Sequence, residues 1–116
     1  MEEIIMEKIV SRIAAFGVPG LVLLVAIHTT GYAGGAAIIT ALSALGPGGI
    51  IGGIATLGVI GLIIQGLTEY GLEAIFSDVI DELIRRGETR ESILAKIEVY
   101  PISNSLKRKL REQVGR

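Results

Sequence analysis

One long run without a charged side chain limits what this chain can fold into. No Asp, Glu, Lys or Arg occurs between Ile13 and Thr68, and 13 of the 16 glycines lie within that run. A chain of 116 residues has little other material with which to cover so much apolar surface. A lipid bilayer is the simplest environment for such a run. The run therefore predicts an integral membrane protein.

Composition excludes several classes of function. The formal net charge of −1 gives no reason to expect a nucleic-acid partner. The chain has no cysteine, so disulfides, thiolate zinc sites and cysteine nucleophiles are excluded, and the one histidine cannot form a metal cluster alone. Aromatic residues make up only 4% of the sequence, which argues against a stacking platform for bases or sugars.

Catalytic motifs are also missing. The glycine-rich stretch 46–49 is not followed by the Lys-Ser/Thr pair of a phosphate-binding loop. Glu69, Glu73, Asp78 and Asp81 fall around a solvated helix with no histidine nearby, and no set of nucleophile, base and orienting group can be assembled. We expect no enzymatic activity, no metal and no cofactor.

The hydropathy pattern predicts an all-α fold with four regions. A Gly/Ala-rich apolar helical hairpin, expected to span the membrane, is flanked by an N-terminal amphipathic helix and a charged helical C-terminal region. The N-terminus is acidic rather than basic, unlike a secretory signal. The predicted regions are an amphipathic helix at 1–16, an apolar glycine-rich membrane or assembly region at 17–68, an amphipathic helix at 69–87 and a helical hairpin at 88–116.

Several arrangements of the apolar region in a bilayer are consistent with the sequence. A single kinked helix over 13–31, a re-entrant hairpin over 19–45 and a continuous helix over 21–45 all fit the pattern. We favour two crossings, at roughly 14–42 and 49–68. Both termini would then lie on one side of the membrane, and the basic C-terminal region indicates that this side is cytoplasmic.

The charged C-terminal third carries clear helix-boundary signals. Gly87 follows two arginines and predicts the end of a helix, while Thr89 and Ser103 predict the starts of the next two. Tyr100 precedes a proline and so predicts a helix end. The hairpin core is expected to contain Ile93, Ile97, Tyr100, Ile102, Leu106 and Leu110.

Small residues recur at three- and four-residue steps through the apolar region. Glycine inside a helix is less favourable than alanine by about 1 kcal/mol, so its repetition needs a compensating gain. Close approach of two helix backbones supplies one, either within the hairpin or between copies of the chain. The predicted helix-packing and self-association residues are Gly34, Ala37, Ala41, Ala44, Gly48, Gly49, Gly52, Gly53, Ala55, Gly58 and Gly61.

Two polar features remain. His28 lies in an apolar segment, which suggests a proton-sensing or pore-lining role or, alternatively, a neutral histidine near an interface. Lys107, Arg108, Lys109 and Arg111 form the only basic cluster, and we expect them to contact lipid headgroups or to be a solvated helix face.

Two segments of the apolar region resemble a known family. The stretch 31–37, which reads GYAGGAA, and the stretch 46–53, which reads GPGGIIGG, are similar to the interferon-inducible glycine-rich small membrane proteins of animals. The layout of an apolar hairpin followed by a charged tail is similar to that of phage holins. The resemblance implies a membrane protein and assigns no residue role.

These observations lead to two functional hypotheses. The first is a small self-associating α-helical membrane protein that permeabilises or remodels the bilayer, as a toxin, holin or defence effector does. The second is a non-enzymatic structural module that forms a soluble helical oligomer or filament through its glycine-rich helices. The expected partners are a lipid bilayer, further copies of the chain and a protein that binds the C-terminal hairpin.

Overall fold

The computed structural model describes residues 2–30, 54–100 and 102–115. Over these residues the chain is helical throughout and contains no strand, which confirms the all-α prediction. Residues 31–42 of the first predicted crossing and residues 49–53 of the second lie outside the described residues. The helices are α1 (Glu2–Ala14), α2 (Val18–Thr30), α3 (Ile54–Glu69), α4 (Leu72–Arg85), α5 (Arg90–Val99) and α6 (Asn104–Val114).

Helix α2 is the centre of the described structure. It is apolar around its whole circumference, and every residue from Leu21 to Ile27 is buried. It packs against all five other described helices. A helix that is hydrophobic on every side must be enclosed, and here protein encloses it.

The connection between α1 and α2 is a sharp turn. The helical stretches Ile5–Ala14 and Val18–Thr29 are inclined by 115°. Gly17 adopts a φ of 69°, a conformation that other residues rarely take. A Cβ atom on Gly20 would lie 2.3 Å from the carbonyl oxygen of Ile13. These two glycines therefore let α2 fold back closely against the end of α1.

The amphipathic helices cover α2 with their apolar faces. Ile9 and Ile13 of α1 are fully buried, whereas Glu7, Lys8 and Arg12 are exposed, as the sequence predicts. In α4 the apolar stripe is buried except at its ends, where Leu72 is half-buried and Ile84 is 39% exposed. The buried residues of α4 are Ile75, Phe76, Val79, Ile80 and Leu83.

The boundary of α4 differs from the predicted 69–87. Helix α3 continues to Glu69, and α4 starts only at Leu72 because Gly71, with a φ of 85°, separates the two helices. The other end is as expected. The Glu88 and Gly87 amides donate to the carbonyls of Leu83 and Ile84, which forms a Schellman motif around Gly87.

The last two helices start at the predicted capping residues. The Thr89 hydroxyl accepts from the Ser92 amide at 3.0 Å, and the Ser92 hydroxyl accepts from the Thr89 amide at 2.9 Å. The Ser103 hydroxyl accepts from the Leu106 amide at 3.1 Å. Helices α5 and α6 pack together and against α2. Their buried residues are Ile93, Ile97, Leu110 and Val114.

The described helices are short relative to the thickness of a bilayer. Among them, no single helix is both long and apolar enough to cross a membrane. The bent pair Ile5–Ala14 and Val18–Thr29 satisfies both requirements only when its two helices are taken together.

Candidate interaction surfaces

Helix α3 carries the described part of the predicted glycine face. Gly58 and Gly61 are exposed, and a Cβ atom on either would meet no described atom within 4 Å. Ala55 lies in the first turn of the same helix. Gly58 and Gly61 therefore make no close contact with the other described helices. The other predicted members, Gly34, Ala37, Ala41, Ala44, Gly48, Gly49, Gly52 and Gly53, lie outside the described residues.

The exposed face of α3 continues without charge beyond the glycines. Gln65 and Thr68 are exposed at the next helical steps. The Thr68 hydroxyl donates to the Ile64 carbonyl at 2.8 Å, so its hydrogen bond is made within the helix. The opposite side of α3 packs into the core through Val59, Ile63 and Leu67. The result is a surface of small and uncharged residues on an otherwise charged bundle.

The four basic residues of α6 do not form one surface. Lys107 donates to the Glu98 carbonyl oxygen at 2.7 Å, and Arg111 pairs with the Glu98 carboxylate. Both are thereby tied to α5. Arg108 and Lys109 are both exposed, and Lys109 lines a cavity beside α2. Lipid contact by all four side chains together would require the Glu98 interactions to break.

His28 lies near the C-terminal end of α2 and is exposed, in contrast to the seven buried residues before it. It lines the same cavity as Lys109. Sequence reasoning identified His28 and Lys109 separately but did not bring them together. Glu112 was expected only to balance part of the basic cluster, and its position three residues after Lys109 on α6 was the signal that the two lie on one face.

Acidic residues line a groove between α1 and α4. The groove has a volume of about 470 Å³ and contains Glu7, Asp78 and Asp81, together with Glu82 and Arg85. The Arg85 and Arg86 guanidiniums donate to Glu82, and these hydrogen bonds hold the pKa of that carboxyl below its ordinary value. Within the described part of the chain, no three His, Cys, Asp or Glu side chains are placed to hold a metal ion.

Polar contacts join α4 to α1 and join the turn after α4 to α5. The Arg86 guanidinium of α4 donates to the Ser11 hydroxyl of α1 at 3.2 Å. Glu88 accepts from the Ser92 hydroxyl and from the Lys96 ammonium, and these hydrogen bonds lower its pKa.

Comparisons with known proteins give no relative. No protein-family model matches the sequence, and no curated protein or solved structure shows significant similarity to it. The resemblance to the interferon-inducible proteins and the holin-like layout therefore stay predictions from the sequence pattern.

Proposed function

We propose that this chain is a self-associating helical protein whose uncharged glycine-rich segment enters a lipid bilayer while the charged helices remain at the membrane surface. The observation that carries the proposal is the uncharged, glycine-rich sequence of segment 31–53, which continues into the exposed glycine face of α3. Because protein covers α2, the proposal assigns entry into the bilayer to the uncharged segment 31–53 rather than to α2.

The distribution of charge supports this division. Segment 31–53 contains no charged residue and eight of the glycines, and it continues directly into α3. Among the described residues, most charges lie on α1, α4, α5 and α6, and α3 carries one, Glu69, at its last position. A protein divided in this way can place one end in hydrocarbon without burying an ion there.

The glycine face of α3 supplies the means of self-association. Without a Cβ atom, Gly58 and Gly61 allow a second helix backbone to approach closely, which favours van der Waals packing in a bilayer. The assembly would permeabilise or remodel the membrane. The positive-inside rule favours a cytoplasmic position for α5 and α6.

Membrane fractionation with an alkaline carbonate wash tests the proposal. The wild-type chain is expected in the washed pellet and is released only by detergent. The variant I50K/I51K places two charges in the segment, each unfavourable by about 3 kcal/mol at a bilayer centre, and is expected in the supernatant. The matched control A74K/S77K adds the same charges at exposed positions of α4 and is expected to stay in the pellet.

A soluble assembly is the second candidate function. It is favoured by the same enclosed helix α2 and by the described helix lengths, of which the longest is 16 residues. Release of the wild-type chain by carbonate into large, detergent-free particles would establish this second function and exclude the first. Retention in the pellet together with leakage from dye-loaded liposomes would establish the permeabilising form of the first.

A further inference from the structure

We propose that the cavity at the C-terminal end of α2 binds the phosphoethanolamine headgroup of a membrane lipid. The inference rests on the proposed membrane function and adds a specific ligand to it. The cavity has a volume of about 360 Å³ and is built from α2, α4 and α6. Its lining includes His28 and Thr29 of α2, Lys109 and Glu112 of α6, and the apolar side chains of Val25 and Leu72.

The charges of the cavity favour a zwitterion over a simple anion. Lys109 supplies a cation, and Glu112 supplies a carboxylate three residues later on the same helix face. The Glu112 carboxylate disfavours a lone phosphate and favours a ligand that also carries an ammonium group. A phosphate beside Lys109 and an ammonium beside Glu112 satisfy both side chains.

The uncharged polar groups complete the match. The Thr29 hydroxyl and the His28 imidazole can each donate a hydrogen bond to a phosphate oxygen. Charge-assisted bonds of this type are shorter and stronger than neutral ones. Val25 and Leu72 offer an apolar wall to the carbon atoms of the headgroup.

The lining also distinguishes between types of ammonium group. Quaternary ammonium groups, such as choline, are recognised by the faces of aromatic rings. Val25 and Leu72 are the apolar residues of this lining, and neither is aromatic. A primary ammonium can instead donate hydrogen bonds to the Glu112 carboxylate. The cavity therefore suits ethanolamine rather than choline.

The position of the cavity fits a lipid ligand. Thr29 lies one residue before the end of α2, and the uncharged segment 31–53 follows immediately in the sequence. If that segment enters the bilayer, the cavity comes to lie at the level of the headgroups. The ligand would then be available at high local concentration.

Vesicle flotation with the full chain tests the inference. Vesicles of phosphatidylcholine alone are compared with vesicles that also contain phosphatidylethanolamine or phosphatidylglycerol. The wild type is expected to bind the phosphatidylethanolamine vesicles most tightly, and K109A is expected to weaken that binding about tenfold. The control R108A removes an exposed cation of the same helix that does not line the cavity, and it is expected to bind like the wild type.

A second variant separates the two halves of the headgroup. E112Q is expected to lose the preference for phosphatidylethanolamine over phosphatidylglycerol, because only the former carries an ammonium group. Circular dichroism checks that each variant keeps its helical content. Soluble glycerophosphoethanolamine is expected to compete only weakly, since the apolar segment anchors the chain next to the lipid.

The results of these experiments distinguish a failure of the headgroup site from a failure of the proposed membrane function. Equal losses of vesicle binding in K109A and R108A would mean that basic side chains attract the membrane without a specific site. This result would overturn the headgroup site and leave the membrane function intact. Binding of soluble glycerophosphoethanolamine as tight as that of vesicles would show a soluble ligand and overturn the lipid assignment. Failure of the wild type to bind any vesicle would overturn both proposals.

Discussion

Gly20 lies so close to Ile13 that a Cβ atom at Gly20 would be 2.3 Å from the Ile13 carbonyl oxygen. The contact joins the buried start of α2 to the last turn of α1, and Ile13 itself is fully buried. The oxygen belongs to the backbone and cannot move as a flexible side chain would. This contact fixes how closely the central helix approaches its neighbour.

The variant G20A is therefore expected to destabilise the fold. The added methyl group forces α1 and α2 apart, and overpacking of this kind lowers the free energy of unfolding by about 1–3 kcal/mol. Urea unfolding followed by circular dichroism measures the change. The control G58A places the same methyl group where no described atom lies within 4 Å, so it should be neutral or stabilising. Equal stability of the two variants would contradict the close contact.

The central position of α2 predicts that two isoleucines contribute very differently to the free energy of unfolding. Ile27 is 1% exposed in the core, whereas Ile84 is 39% exposed at the end of α4. The variant I27A is expected to lower the free energy of unfolding by about 2–5 kcal/mol because it leaves a cavity. I84A should change it by less than about 1 kcal/mol. Similar losses in thermal unfolding would mean that α2 is not the core helix.

Much of this fold follows from local sequence signals. Thr89, Ser103 and Gly87 mark helix boundaries by hydrogen bonds to residues within a few positions, so their roles can be read without knowing the tertiary structure. The apolar stripes of α1 and α4 have the same local origin. For these elements prediction and structure agree to within a few residues.

The place of α2 could not be predicted in this way. A helix that is apolar on every side is required both in a bilayer and in the centre of a bundle, and hydropathy does not distinguish the two. Whether α2 is enclosed by protein depends on the apolar faces of α4, α5 and α6, which are distant from α2 in the sequence. The division of the basic cluster has the same cause, because Glu98, which binds Lys107 and Arg111, belongs to a different helix.

Acid is expected to weaken the cap of α5. Hydrogen bonds from Lys96 and Ser92 lower the pKa of Glu88 from its ordinary value of 4.5. A carboxyl with a lowered pKa in the folded state contributes stability above the ordinary pKa, and the contribution is lost as the pH falls through the lowered value. The effect should be a few tenths of a kcal/mol because the Lys96 side chain is 55% exposed.

Urea unfolding between pH 7 and pH 3 tests this sign. Below pH 4.5 the free energy of unfolding of the wild type should fall as the pH decreases. In E88Q and in K96M it should fall less steeply. The double variant should lose no more of this pH dependence than E88Q alone, since E88Q already removes the interaction with Lys96. A decline of the same steepness in wild type and K96M would exclude the Glu88–Lys96 pair as its source.

The exposed glycine face of α3 predicts opposite effects for small and large substitutions. G61A should stabilise the helix by up to about 1 kcal/mol, because alanine is the better helix former and a Cβ at Gly61 meets no described atom within 4 Å. G61L should leave the bundle folded but prevent close approach of a second backbone, and so reduce self-association. Sedimentation in mild detergent measures the oligomer. The control A74L adds similar bulk at an exposed position of α4 and should associate like the wild type. Undiminished association of G61L would show that this face is not the interface.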